Sequence, residues 1–250
     1  YKRQVFVRWM TVAMVFAAAS GYVVMVLAAA VLGTDGADRW LVFWSSFFAV
    51  AAVANGMLQE TTRAVGAAQQ QDQGQRQHQQ QDGEPAALIA PAEQARPLRT
   101  GSVIGLALGI SAALTALWWA PSVAPEHPWW AGILMAVGVA SIFVQQTVAG
   151  LLSGTERWNR YATLLGMDAA FRLLVAAVLS LDYLTVQMIP QAGYQVGFMV
   201  ATVCGAVSWI LVIAASRDRH SFVHAEVDVT GRQFWRNSLA AMAATAATAL

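Results

Sequence analysis

Asp168 and Arg172 lie four positions apart in the apolar run YATLLGMDAAFRLLVAAVLSL, residues 161–181. On a helix of 3.6 residues per turn they share one face, a turn apart, with Tyr161 and Arg157 on nearly the same bearing. An acid and a base inside such a run are costly in hydrocarbon, so they must face protein or water, and intramembrane charges mark substrate and ion pathways. Two arrangements satisfy the spacing. Either Arg172 lines an aqueous cavity with Asp168 as its partner, or the two form an intrahelical pair that neutralises itself against neighbouring helices. A second set, Asn55, Gln59, Thr62 and Arg63, falls on one side of the helix that ends the run 40–58, with Glu60 rotated away. Asn55, Gln59, Arg63, Asp168 and Arg172 are the candidate substrate-binding residues. Ser141 and Gln145, in the run 129–152, suit hydrogen bonding between helices.

Other chemistries find little support. His220 and His224 have i,i+4 spacing with Glu226 nearby, but they lie in a basic segment and lack the H-E-x-x-H arrangement of a zinc protease. The chain has no Walker motif, nucleotide-binding glycine fingerprint or nucleophile elbow. No catalytic residue, metal, cofactor or nucleic-acid partner is therefore expected. Cys204 is the single cysteine and sits in an apolar run, so there is no disulfide framework.

The elements that carry these residues follow from composition. Of the 250 residues 57% are hydrophobic and only 12% charged, where a soluble domain carries about a quarter charged residues. The polar residues are concentrated, leaving runs at 9–32, 40–58, 102–120, 129–152, 161–181 and 196–215. Each is long enough to cross a hydrocarbon core of about 30 Å. The beginning of a seventh run appears at 238–250, after a polar linker at 216–237. The expected fold is all-α: a polytopic transmembrane helical bundle of six helices plus the start of a seventh. A short polar turn is expected at 33–39. Residues 69–99, rich in Gln with Pro and Gly, show no apolar helical periodicity and are expected to form a disordered loop. The chain starts at Tyr1 without Met and stops inside an apolar run, the pattern expected of a fragment of a longer protein.

Basic residues set the expected orientation. With the N-terminus cytoplasmic, Lys2, Arg3, Arg8, Arg63, Arg157, Arg160 and the basic residues of the linkers fall inside, and only Arg39 falls outside. Trp40, Trp118, Trp119, Trp129 and Trp130 then lie at the outer interface, and Trp9, Trp158 and Trp235 at the inner one. At about 1.5 Å per residue Asp168 lies roughly 10 Å in and Arg172 roughly 16 Å in, near the midplane. Gly101, Gly105, Gly109 and Ala113 form a small-residue stripe that permits close helix approach.

Two segments resemble a known family. NGMLQETTRA, residues 55–64, is similar to the end of the second span in actinobacterial polysaccharide-export membrane proteins. AGLLSGTERWNRYATLLGMDAAFRLL, residues 149–174, is similar to the hairpin joining their fourth and fifth spans. These proteins belong to the multidrug/oligosaccharidyl-lipid/polysaccharide flippase superfamily. The resemblance implies that residues 1–215 form the N-terminal lobe of a two-lobed transporter of 12 to 14 helices. It implies transport of a polyprenyl-diphosphate-linked glycan across the cytoplasmic membrane by alternating access, with Arg172 and Arg63 attracting the diphosphate and Asp168 either holding Arg172 or changing protonation where an ion gradient drives the cycle. The Gln-rich segment is longer than the family's usual connection. Membrane lipid and envelope glycan-synthesis proteins are the other partners implied. The competing expectations are a drug or small-molecule antiporter of the same superfamily and a non-transporting membrane scaffold for envelope synthesis.

Overall fold

A computed structural model describes residues 2–82, 94–186, 188–216, 225, 227 and 229–249. Its helices are α1 (Lys2–Asp82), α2 (Pro97–Val123), α3 (Pro128–Gly154), α4 (Trp158–Thr185), α5 (Gln191–Cys204), α6 (Ser208–Ala214) and α7 (Gly231–Ala249), with a 3-10 turn at Gly205–Val207 between α5 and α6. Five segments are long and apolar enough to cross a membrane: Arg8–Gln71, Pro97–Val123, Pro128–Gly154, Trp158–Thr185 and Ala192–Ala214. The fold is an all-α bundle.

The first segment is two helices joined at a break. Gly33 has φ 66° and ψ −176°, a left-handed value that L side chains rarely adopt. It divides α1 into limb 1 (2–32) and limb 2 (34–82). Trp9, Val12, Ala13 and Phe16 of limb 1 share a cavity with Asn159, Ala162, Thr163 and Gly166 of α4. Gly150 and Gly154, at the end of α3, pack on Thr61 and Val65 of limb 2. Since α4 starts four positions after α3 ends, limb 2 returns toward the end from which limb 1 set out. The expected polar turn at 33–39 thus contracts to one residue, because a single glycine supplies the reversal and Thr34 to Arg39 remain helical.

The remaining elements pack in a consistent up-and-down pattern. Limb 2 and α3 run parallel, with Phe47 beside Gly138 and Val65 beside Gly154. α2 is antiparallel to α3, and the stripe at Gly101, Gly105 and Gly109 makes the contact: a Cβ at Gly105 would lie 2.7 Å from the Ala140 carbonyl oxygen. α5 and α6 run back along α4, from Gly197 against Leu179 to Ser216, whose hydroxyl accepts from Arg160 Nη1 at 3.3 Å. α7 is antiparallel to limb 2 and approaches it so closely that a Cβ at Gly56 would lie 2.6 Å from the backbone of Ala241.

The core is aromatic and aliphatic: Trp40, Phe43, Phe47, Phe143, Phe198, Leu151 and Leu152 are fully buried. The outer surface is also apolar, with Leu106, Leu114 and Leu117 of α2 and Leu174, Val178 and Leu181 of α4 exposed. Water would penalise such a surface, whereas hydrocarbon accepts it. Together with the five long apolar segments, it makes this a multi-pass membrane protein.

Several expected boundaries move. Gln69 to Asp82, expected within a disordered loop, continue limb 2 as helix. Gln is a fair helix former, and extending an existing helix avoids the cost of nucleation. Residues 83–93 of that loop lie outside the described residues. Gln94 instead forms a bridge with Thr230, and Ala95 N–H donates to the Val229 carbonyl at 3.1 Å. The linker expected to reach residue 237 gives way to helix at Gly231, since the polar first turns of α7 precede its apolar part. Trp40 does not belong to an interfacial belt: it is 1% exposed, and its indole N–H donates to the Phe198 carbonyl and the Thr202 hydroxyl at 3.0 and 3.1 Å. Trp118, Trp129 and Trp130 are exposed.

Candidate functional site

The Asp168–Arg172 pair forms within α4. Arg172 Nη2 donates to Asp168 Oδ1 at 2.7 Å, and the two side chains are 11% and 10% exposed. The guanidinium reaches across to limb 2, where it sits over the Phe48 ring at 4.8 Å from the centroid. The opposite wall is Gly205, where a Cβ would lie 2.6 Å from Arg172 Nε and would overlap the Asp168 carboxylate. That nitrogen has no hydrogen-bond partner.

The 3-10 turn beside the pair has its own requirement. A helix interrupted at membrane depth leaves carbonyls without their usual i→i+4 donors, and these need partners from neighbouring side chains. Gln145 of α3 meets this need. With its amide turned so that the nitrogen faces acceptors, it donates to the carbonyls of Gly205 at 3.2 Å and Ala206 at 2.9 Å. Gln145 thus joins α3 to the break in the α5–α6 segment. Ser208 Oγ and Trp209 Nε1, immediately after the break, are buried without partners.

The second set of residues follows a different face. Asn55, Gln59 and Arg63 are exposed in consecutive turns of limb 2. Thr62 is half-buried and donates to the carbonyls of Leu58 and Gly150 at 2.8 and 3.4 Å, so it belongs to packing. Phe48 stands seven positions before Asn55 and therefore on the same face, about two turns away. The exposed row Asn55–Gln59–Arg63 thus lies on the side of limb 2 that carries Phe48, the ring covered by Arg172 of α4.

Glu60 is buried, 6% exposed. Its carboxylate accepts from Arg63 Nε and Nη2, both at 2.8 Å, and from Asn237 Nδ2 of α7 at 2.9 Å. Helical geometry turns Glu60 away from the exposed row, and nothing in the sequence pairs it with a residue 177 positions later.

Three cavities are apolar and separate from these residues. One of about 490 Å³ lies between limb 2, α2 and α3; a second of about 490 Å³ lies between limb 1 and the start of α4; a third of about 290 Å³ lies between α2 and α3. Asn55, Gln59, Arg63, Asp168 and Arg172 line none of the three. His220, His224 and Glu226 lie outside the described residues, and among the described residues no group of three metal-ligating side chains occurs.

No protein-family model matches the chain. It is 33% identical over 197 residues to an uncharacterized protein of Mycobacterium tuberculosis (strain H37Rv) and to one of Mycobacterium bovis, each match covering 78% of this chain and 40% of the relative. A second uncharacterized protein of Mycobacterium tuberculosis is 30% identical over 201 residues, 80% of this chain and 40% of the relative. The chain thus spans about 40% of the length of these curated relatives. No solved structure matches.

Proposed function

We propose that this chain is the N-terminal lobe, residues 1–215, and the first helix of a second lobe in a flippase of the multidrug/oligosaccharidyl-lipid/polysaccharide superfamily. In this reading limb 1, limb 2, α2, α3, α4 and the α5–α6 segment are the six spans of the lobe, and α7, from Gly231, is the seventh. The protein lies in the cytoplasmic membrane with its N-terminus inside, and moves a polyprenyl-diphosphate-linked oligosaccharide by alternating access without covalent chemistry.

The observation that carries the proposal is the exposed row Asn55–Gln59–Arg63, in consecutive turns of limb 2 following its apolar run 40–58. A polar, cationic strip at that position is poorly matched to lipid and well matched to a watery cleft. An anionic diphosphate crossing such a cleft gains charge-assisted hydrogen bonds from a planar guanidinium fork. The prenyl tail needs no protein polar group, because the surrounding hydrocarbon solvates it. Arg172, already held by Asp168 and Phe48, contributes a fixed cation on the side of limb 2 that carries Phe48.

The proposal is tested in the full-length protein reconstituted in proteoliposomes with a lipid-linked oligosaccharide. Arg63→Gln retains a donor for Glu60 but removes the cation, and transport is expected to fall by about tenfold or more. Deleting Gln69 to Gln81 is expected to leave transport within a few-fold. Normal transport by Arg63→Gln together with loss on the deletion favours the scaffold role over the transporter.

A further inference from the structure

The apolar cavity of about 490 Å³ between limb 2, α2 and α3 begins where α7 stops. We propose that this groove is the docking site for the continuation of α7, so that the first helix of the second lobe is seated along the outer half of limb 2. This rests on the reading of α7 as that helix.

Three contacts fix the register of the two helices. Asn237 meets Glu60, Met242 lies beside Gly56, and the Thr245 hydroxyl donates to the Val53 carbonyl. Advance along α7 matches retreat along limb 2 nearly residue for residue, so the pair is antiparallel and keeps one line. Val53 belongs to the contact and to the groove, which it lines with Val42, Ser46 and Val50. Carried past Ala249, the register brings the second position after Leu250 opposite Ser46 and the sixth opposite Val42.

The lengths agree. From Ser238, where its apolar part begins, to Ala249 the helix rises about 16 Å, against a hydrocarbon core of about 30 Å. A spanning α7 therefore has roughly 14 Å still to climb, and the limb 2 wall from Val53 to Val42 offers about 16 Å. Cover is lost along the same path: Ser238 is fully buried, Met242 is 6% exposed, Thr245 is half-buried and Thr248 is exposed.

The groove asks its occupant for packing and for no hydrogen bond. Ser46 already donates to the Val42 carbonyl at 2.7 Å, Thr115 to those of Ser111 and Ala112 at 3.0 and 3.1 Å, and Ser122 to that of Trp119 at 2.6 Å. The limb 2 wall selects a helix over a lipid chain. Gly56, where α7 comes closest, is followed outward by Ala52, Ala49, Ser46 and Ser45, the last three exposed. Small residues let helix backbones approach closely in a membrane, whereas they give a lipid chain few atoms to touch.

The test is disulfide cross-linking of the full-length protein in its membrane, on a Cys204→Ala background. Ser46→Cys is paired with a cysteine at the second position after Leu250, and Val42→Cys with one at the sixth. Leu114→Cys, exposed on α2 and turned away from the groove, is the control partner for both. Oxidation is expected to link each matched pair about tenfold faster than the control, because only cysteines in near contact can be bridged. Equal linking of matched and control pairs leaves the groove to lipid, and a cross-linked dimer formed by Ser46→Cys alone seats a second copy there. Either result overturns the docking and leaves the two-lobe reading standing. A cysteine about twelve positions after Leu250 tests that reading separately. Its reaction with an impermeant maleimide in intact cells keeps α7 as a span, and reaction only after permeabilisation overturns span and docking together.

Discussion

Deleting one member of the Asp168–Arg172 pair leaves the other buried and uncompensated, whereas replacing both with apolar residues removes the problem. Arg172→Ala is therefore expected to destabilise the full-length protein by about 3–5 kcal/mol, and Asp168→Leu combined with Arg172→Met to be near neutral. Thermal unfolding in detergent checks both. The double variant also separates the roles of the pair: folded but inactive protein assigns it to transport, and folded active protein assigns it to packing. Gln145→Leu is expected to cost about 1–3 kcal/mol by removing the side-chain donor of the Ala206 carbonyl, read from the same melting curves. The spacing of Asp168 and Arg172 makes their mutual bond legible in the sequence, since i,i+4 neighbours on a helix must meet. Phe48, Gly205 and the exact carbonyls that Gln145 serves were not legible, because each comes from a different helix and no local rule relates them. Trp40 is the clearest failure of a local rule. Its position at the end of an apolar run suits an interface, but a partner hydroxyl on Thr202 draws it into the core.

At the scale of elements, apolar length locates the helices and backbone exceptions shape them. Gly33 is such an exception, and Gly33→Ala is expected to cost about 1–3 kcal/mol because φ 66° with ψ −176° is a conformation essentially confined to glycine, seen as a lower melting temperature of the full-length protein. Glu156, in the turn between α3 and α4, adopts φ 55° with an exposed side chain. Glu156→Gly is expected to stabilise by up to about 1 kcal/mol, because glycine adopts that conformation without the Cβ penalty. The 3-10 turn at Gly205–Val207 had no signal in the sequence: Gly-Ala-Val is unremarkable in a membrane helix. The break becomes intelligible only with its neighbours in place, where Gly205 makes room for the charged pair and Gln145 satisfies the carbonyls. The end of limb 2 shows the reverse case. Its Gln-rich continuation lacks an apolar face, yet it remains helical as an extension of a helix that is already formed.

For the whole molecule, the alternation of helix directions was legible, since short connections force neighbours to be antiparallel and the contacts of Phe47 with Gly138 and of Leu179 with Gly197 fit that order. The proposed orientation gives a direct test in intact cells. A cysteine introduced at Glu126, in the short connection between α2 and α3, is expected to react with a membrane-impermeant maleimide, and one at Gln70 to react only after permeabilisation. The reverse pattern would invert the protein in the membrane.

α7 is attached to the rest of the molecule at intervals along its length. At one extremity the Val229 carbonyl holds Ala95, near the middle Asn237 holds Glu60, and further along the Thr245 hydroxyl donates to the Val53 carbonyl at 3.2 Å. With the close approach at Gly56 between them, these attachments fall at separate levels, so α7 lies along limb 2 as a splint and loosening one of them leaves the others to keep its direction.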